Sequence, residues 1–206
     1  MRGIFALFPI LFLCAISAAF TTSCSPAVST SIPFEDNFDR VDLGENWLDN
    51  MGGRWEIKDR KLHSNGSQNA PLWLRARLPD NAVIEFDAYT DPNICDIKCE
   101  AFADGRTHAT GYILLMGGWK NRTSTIARLD EHQQDRLEKR SDCVPGKAYH
   151  WRIERRGNVL SWFVDDKLYL QLNDPNPLKG RGHDRFAFNN WASDVYFDNL
   201  RIRELK

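Results

Sequence analysis

From residue 34 to the last residue, apolar side chains recur at every second position in short runs, and no long stretch carries the 3.6-residue period of an amphipathic helix. Ala82-Val83-Ile84-Glu85-Phe86-Asp87-Ala88-Tyr89 alternates apolar and charged residues, and Tyr149-His150-Trp151-Arg152-Ile153-Glu154 does the same. Successive side chains on a strand point to opposite faces, so runs of this kind bury one face and wet the other. Val159 to Val164 and Lys167 to Leu172 flank Asp165-Asp166, and Arg156-Gly157-Asn158 stands just before them. Both connectors suit tight turns, because Asp, Asn and Gly tolerate positive φ. Further strands are expected over 54–58, 61–64, 71–77, 95–103, 111–117, 124–131, 136–140, 186–191 and 195–203. Gln133 to Lys139 is read as a strand end and hairpin, not a helical turn. Short strands with turn signals roughly every 8–12 residues predict an all-β fold, a two-sheet antiparallel β-sandwich.

The segment before residue 34 has a different composition. Arg2 precedes an almost wholly apolar run from Ile4 to Phe20, and small residues follow at Ser17, Ala18, Ala19 and Ser23. That is the layout of a secretory signal over residues 1–23. Thr21-Thr22-Ser23-Cys24 resembles a bacterial lipobox, with Thr21 where Leu is usual, which makes Cys24 a candidate for acylation. Residues 24–33 are small, polar and Pro-containing, the composition of a tether. The body, 34–206, is expected outside the cytoplasm, lipid-anchored in a bacterial cell envelope or secreted. Contact with a membrane is expected only through such an anchor. With 27 Lys+Arg against 28 Asp+Glu there is no basic excess to displace counterions, so a nucleic-acid partner is not expected.

Of five cysteines, Cys14 falls in the signal and Cys24 at its end, leaving Cys95, Cys99 and Cys143 in the body. On one strand, Cys95 and Cys99 share a face but stand about 13 Å apart, beyond disulfide reach. Cys143 is therefore expected to pair with Cys95 or Cys99, and the other to stay a buried thiol. Three thiols without a histidine at ligand spacing argue against zinc.

Phe34-Glu35-Asp36-Asn37-Phe38-Asp39-Arg40, then Leu43, Trp47, Gly53-Arg54-Trp55-Glu56-Ile57 and Leu62, resemble the opening of concanavalin A-like lectin/glucanase domains. Val195-Tyr196-Phe197-Asp198-Asn199-Leu200-Arg201-Ile202 is similar to their closing strand. Tyr149 to Arg155, with Gly157 and Val164-Asp165-Asp166, is similar to a hairpin of the 3-keto-disaccharide hydrolase-like branch. The resemblance covers about residues 34–204. It implies a jelly roll with a concave face of the kind used for glycans.

A polysaccharide or oligosaccharide is accordingly the expected partner. Indoles stack on the apolar C–H faces of sugars, while amides, carboxylates and guanidinium groups bond their hydroxyls. Candidates for one such groove are Trp119, Arg128, Asp130, His132, His150, Arg152, His183, Asn189, Asn190 and Trp191. A glycoside-processing hydrolase is the alternative, and a structural or protein-interaction module without a sugar site is a third. Glycoside hydrolysis needs two carboxyl groups. Related glucanases carry Glu-x-Asp-x-x-Glu, whereas this chain has Glu85, Asp87 and then Thr90. Asp130 and Glu154 are a substitute pair across strands, with His132 or His150 as a base, although no catalytic residue stands out. No cofactor is required. A structural Ca²⁺ is a candidate at Asp36 and Asp198, because sandwiches of this kind often tie their end strands so. Asn65-Gly66-Ser67 and Asn121-Arg122-Thr123 match glycosylation acceptors but are read as turns.

Overall fold

The computed structural model describes residue 27 and residues 29–206. The expected signal, Cys14 and Cys24 lie outside the described residues. Among the described residues fifteen strands follow one another: β1 (Phe34–Asp36), β2 (Trp47–Leu48), β3 (Trp55–Lys58), β4 (Lys61–Asn65), β5 (Leu72–Leu74), β6 (Ala82–Thr90), β7 (Ile97–Ala103), β8 (Tyr112–Gly117), β9 (Thr123–Arg128), β10 (Leu137–Arg140), β11 (Tyr149–Arg156), β12 (Val159–Val164), β13 (Lys167–Asn173), β14 (Arg185–Asn189) and β15 (Asp194–Glu204). One sheet runs β13-β12-β11-β6-β15-β4-β3, with β1 pairing the far end of β15; the other runs β10-β9-β8-β7-β14-β5-β2. We call them the first and second sheet. Every pairing is antiparallel, as the alternation predicts.

Parity decides what each strand buries. On β11, Tyr149, Trp151 and Ile153 face the core while His150, Arg152 and Glu154 stay partly exposed. On β6, Ile84, Phe86 and Ala88 point the same way. Phe86 stacks on Trp151 at 5.2 Å and meets Phe188 edge-on at 5.1 Å, and Phe188 stacks on Phe197 at 4.2 Å, so aromatic rings join the two sheets. Truncating any of these rings to Ala removes about 3–5 kcal/mol. Asp165 and Asp166 both have positive φ, as a two-residue hairpin turn requires.

β7, β8 and β14 are buried on both faces, so their runs are not cleanly alternating. Loops cover the outer face of the second sheet. Asn50 Nδ2 donates to the Arg106 carbonyl at 3.1 Å, and the His183 ring lies 3.1 Å from the Thr110 carbonyl, so the 104–110 loop is tied to the chain after β2 and before β14; on the same sheet Trp73, Ala103 and Ala187 form a small buried cluster with Leu48 packed against it.

Cys95 and Cys143 form the disulfide, and Cys99 is a free buried thiol. One expectation fails at β9. It ends at Arg128, not 131, because Leu129 takes a left-handed φ of 66° and turns the chain away. Asp130 and His132 are therefore loop residues.

Candidate functional site

Of seven tryptophans, five are buried; Trp119 and Trp191 are 38% and 52% exposed and stand on one cleft. Trp119 sits in the turn Gly118–Asn121 between β8 and β9, where Trp119, Lys120 and Asn121 all have φ between 51° and 67°. Gly117, at φ 81°, starts it, and a Cβ there would lie 2.2 Å from Cys95 Cβ. Arg122 N donates to the Gly118 carbonyl at 3.0 Å, and Asn121 Nδ2 to the Cys143 carbonyl at 3.1 Å. Left-handed backbone is unfavourable for Trp119 and Lys120, so these bonds and the neighbouring disulfide hold the indole in place. The Arg136 guanidinium lies 4.8 Å from the Trp119 ring and the His132 ring 5.7 Å from it.

Trp191 follows β14 on a loop tied at several points. Its N–H and that of Ala192 donate to Asp96 Oδ2 at 3.0 and 3.2 Å. Asn190 bridges the same loop, accepting from Ser67 N at 2.7 Å and donating to the Ser193 carbonyl at 2.9 Å. The 66–69 segment returns backbone bonds, Gln68 N to the Trp191 carbonyl and Asn69 N to that of Asn190.

The cleft has a volume of about 450 Å³, the size of a small-molecule site. Ile94 and Leu115 supply apolar wall, and Asp96, Lys98, Asn69 and Glu131 a polar floor. Lys98, on β7, is 1% exposed. Its Nζ donates to Asn69 Oδ1 at 2.6 Å and lies 2.8 Å from Glu131 Oε2, while Asn69 Nδ2 donates to Glu131 Oε1 at 3.1 Å. Deeper on the same face, Glu100 accepts from Asn189 Nδ2 at 2.8 Å and from Ala109 N at 3.0 Å, and lies 2.7 Å from His108 Nδ1. His108 Nε2 is 3.9 Å from Glu131. Burial pushes the Asp96 carboxyl above the usual carboxylate range, against the pull of Lys98. Burial also acts on Glu131, but there the Lys98 ammonium and its hydrogen bond win and hold the group below its usual value. The arrangement combines two wet aromatic walls with a preset hydrogen-bonding floor.

The expected groove residues divide. Trp119, His132 and Trp191 line the cleft; Asn189 and Asn190 are buried behind it and shape it. Asp130 lies in the adjoining loop, where its Oδ1 accepts from His132 N at 2.8 Å. The others lie elsewhere. Arg128 pairs with Asp174 at 3.0 Å, and His183 belongs to the Thr110 contact. His150 and Arg152 are on the first sheet, His150 against Asp87 at 2.8 Å and Arg152 against Glu154. Asp130, in the loop after β9 of the second sheet, and Glu154, on β11 of the first, thus make no cross-strand pair. Glu85 and Asp87 are likewise on β6 of the first sheet, on its wetter face, and Asp87 also accepts from Asn199 Nδ2 at 2.8 Å. Strand parity identifies a face but not the sheet to which that face belongs. Asp96, Lys98, Asn69 and Glu131 also line the cleft and are not marked by strand parity, although Lys98 and Glu100, two apart on an apolar strand, signal a polar face.

The Ca²⁺ expectation does not fit the donors. Both oxygens of Asp36 are engaged, by Phe38 N, Arg40 and Trp47 Nε1, and Arg40 neutralises its charge. Asp198 faces Lys61 at 3.6 Å. Among the described residues no three His, Cys, Asp or Glu side chains gather as a metal cluster.

No protein-family model and no curated protein matches the chain. Solved structures do. The carbohydrate binding module CBM66 from Bacillus subtilis aligns with a TM-score of 0.63 and 16% identity, covering 77% of this chain and 96% of that one. A prokaryotic β-1,3-1,4-glucanase (lichenase) from a mouse hindgut metagenome aligns with a TM-score of 0.59 and 11% identity, over 84% and 99%. A chain reported with endo-acting O-glycanases of the human gut microbiota gives 0.64 and 12%, also over 84% and 99%. At such identities the likeness is one of fold, an all-β jelly roll of two antiparallel sheets.

Proposed function

We propose that the protein is an exported carbohydrate-binding β-sandwich that holds an oligosaccharide or polysaccharide segment in the Trp119–Trp191 cleft. The observation that carries the reading is the pair of exposed indoles on a cleft with a polar floor, in a molecule whose other five tryptophans are buried. The indoles stack on sugar rings, and the floor groups take the hydroxyls. The fold is shared with proteins named as a carbohydrate binding module and as a glucanase, which agrees with this reading. Export by the 1–23 signal, with Cys24 as the lipid-bearing residue, would place the sandwich at a cell envelope; palmitate labelling lost in Cys24→Ala tests that part.

Titration of the soluble body against a panel of oligosaccharides tests the binding. Saccharide affinity that falls in Trp191→Ala supports the reading, and indifference to every saccharide refutes it. Assaying the same mixtures for product release separates a binder from a hydrolase.

A further inference from the structure

Asp96 has one carboxylate oxygen committed and one free. Oδ2 accepts the Trp191 and Ala192 N–H groups, whereas Oδ1 is buried with no hydrogen-bond partner. The residue is 6% exposed and lines the cleft beside both indoles. An unpartnered buried acceptor is costly, and a charged one more so. The charge around it is also unbalanced. Asp96, Glu100 and Glu131 are three buried carboxylates, met inside by one ammonium, Lys98, and one imidazole, His108. Among the described residues, even with His108 counted as a cation, one negative charge in the floor has no buried counterpart. Lys120 is exposed at the mouth, His132 reaches Glu131 only at 3.8 Å from the solvent side, and Arg136 is paired with Glu138 at 2.7 Å.

We propose that Asp96 selects the ligand: its free Oδ1 takes a protonated amine on the saccharide, so the cleft prefers an unacetylated hexosamine to neutral, N-acetylated or acidic sugars. This rests on the saccharide reading and narrows it. An ammonium supplies both what Oδ1 lacks, a donor, and what the floor lacks, a positive charge. The Trp191 indole adds to this, since a cation is drawn to an aromatic face, whereas the Trp119 ring already carries Arg136 at 4.8 Å. A uronate or sulfated sugar brings a second negative charge to the same place.

The experiment is calorimetric titration of the soluble body with glucosamine oligomers, N-acetylglucosamine oligomers, cello-oligosaccharides and oligouronates of equal length. Asp96→Asn, Trp191→Ala and a lysine oligopeptide complete the set. Asp96→Asn retains an oxygen to accept the Trp191 and Ala192 N–H groups and turns an NH₂ toward the free position, so it exchanges acceptor for donor. We expect the glucosamine oligomer to bind about tenfold or more tighter than its acetylated counterpart, and Asp96→Asn to abolish that difference. Equal binding of neutral, acetylated or acidic oligomers to the wild type overturns the assignment, with no variant needed. If those sugars bind and lose affinity in Trp191→Ala, the saccharide reading stands and the role of Asp96 falls. If the lysine peptide binds as well as the glucosamine oligomer, and independently of Trp191, the cleft attracts cations without reading a sugar, and the assignment falls. If no sugar binds, both fall.

Discussion

Asp96 accepts the backbone N–H of Trp191 at 3.0 Å, across 95 residues of chain. The carboxylate stands just ahead of β7 and the indole just after β14, so one side chain fixes the second wall of the cleft relative to the sheet beneath it. Asp96→Ala removes this acceptor and leaves the Trp191 and Ala192 N–H groups without their partner. We expect a loss of about 1–3 kcal/mol in chemical denaturation, with weakened saccharide binding even though Trp191 is intact. Unchanged stability and unchanged binding together would show that the loop holds itself.

Trp119 and Trp191 are exposed, so their side chains add little to the core. Trp191→Ala and Trp119→Ala should each cost less than about 1 kcal/mol of stability but weaken saccharide binding about tenfold or more, as loss of an aromatic anchor does. Melting and titration of the same preparations check both halves. A variant that unfolds early and keeps its affinity contradicts this division.

Gly117 is constrained twice, by a φ of 81° and by Cys95 Cβ 2.2 Å from where its own Cβ would stand. Gly117→Ala is expected to destabilise by about 1–3 kcal/mol, since the left-handed strain and the clash both act. It should also weaken binding, because the displaced turn carries Trp119. Gly157→Ala is the control: its φ is 61° but nothing lies within 4 Å, so it bears strain without a clash and should leave binding alone.

The Cys95–Cys143 bridge spans 48 residues and ties the chain after β10 to the start of β7, next to the cleft. Cys143→Ser should cost up to about 4 kcal/mol on the chain-entropy model. Cys99 is buried and its thiol is pushed well above the ordinary value by that burial, with Glu100 adding to it. Native protein should therefore resist alkylation at Cys99 at mildly basic pH and react fully in denaturant. Rapid labelling of the native thiol would show that the sandwich opens readily there.

β6 and β11 were legible as strands because their outer faces are wet, so apolar and charged residues alternate cleanly. Gly117-Gly118 also marks the Trp119 turn, since glycine tolerates the φ of 81° that Gly117 adopts. The floor was not legible. Lys98 and Glu131 meet only because the loop after Arg128 folds back over the second sheet, and that loop begins with a left-handed leucine, a residue that signals no turn. Nor could period two separate His150 and Arg152 from Trp119: it specifies which side of a strand is polar, whereas sheet membership is set by pairing across the whole chain.

Glu131 and Asp96 should bend the acid limb of stability in opposite directions. Glu131 titrates below its ordinary value of 4.5 in the fold, where Lys98 outweighs burial. The stability it contributes is present above the unfolded value and is lost as pH falls through the folded one. Asp96 titrates above its ordinary value of 3.8, chiefly through burial. The folded state therefore binds the Asp96 proton more readily than the unfolded chain, and this group alone gains stability on acidification. Between about pH 5 and pH 3, Glu131→Gln should flatten the fall in stability and Asp96→Asn should steepen it. Denaturant midpoints for the wild type and both variants across that range test the pair. An acid limb unchanged by Glu131→Gln would mean that Lys98 does not hold that carboxylate in its charged form.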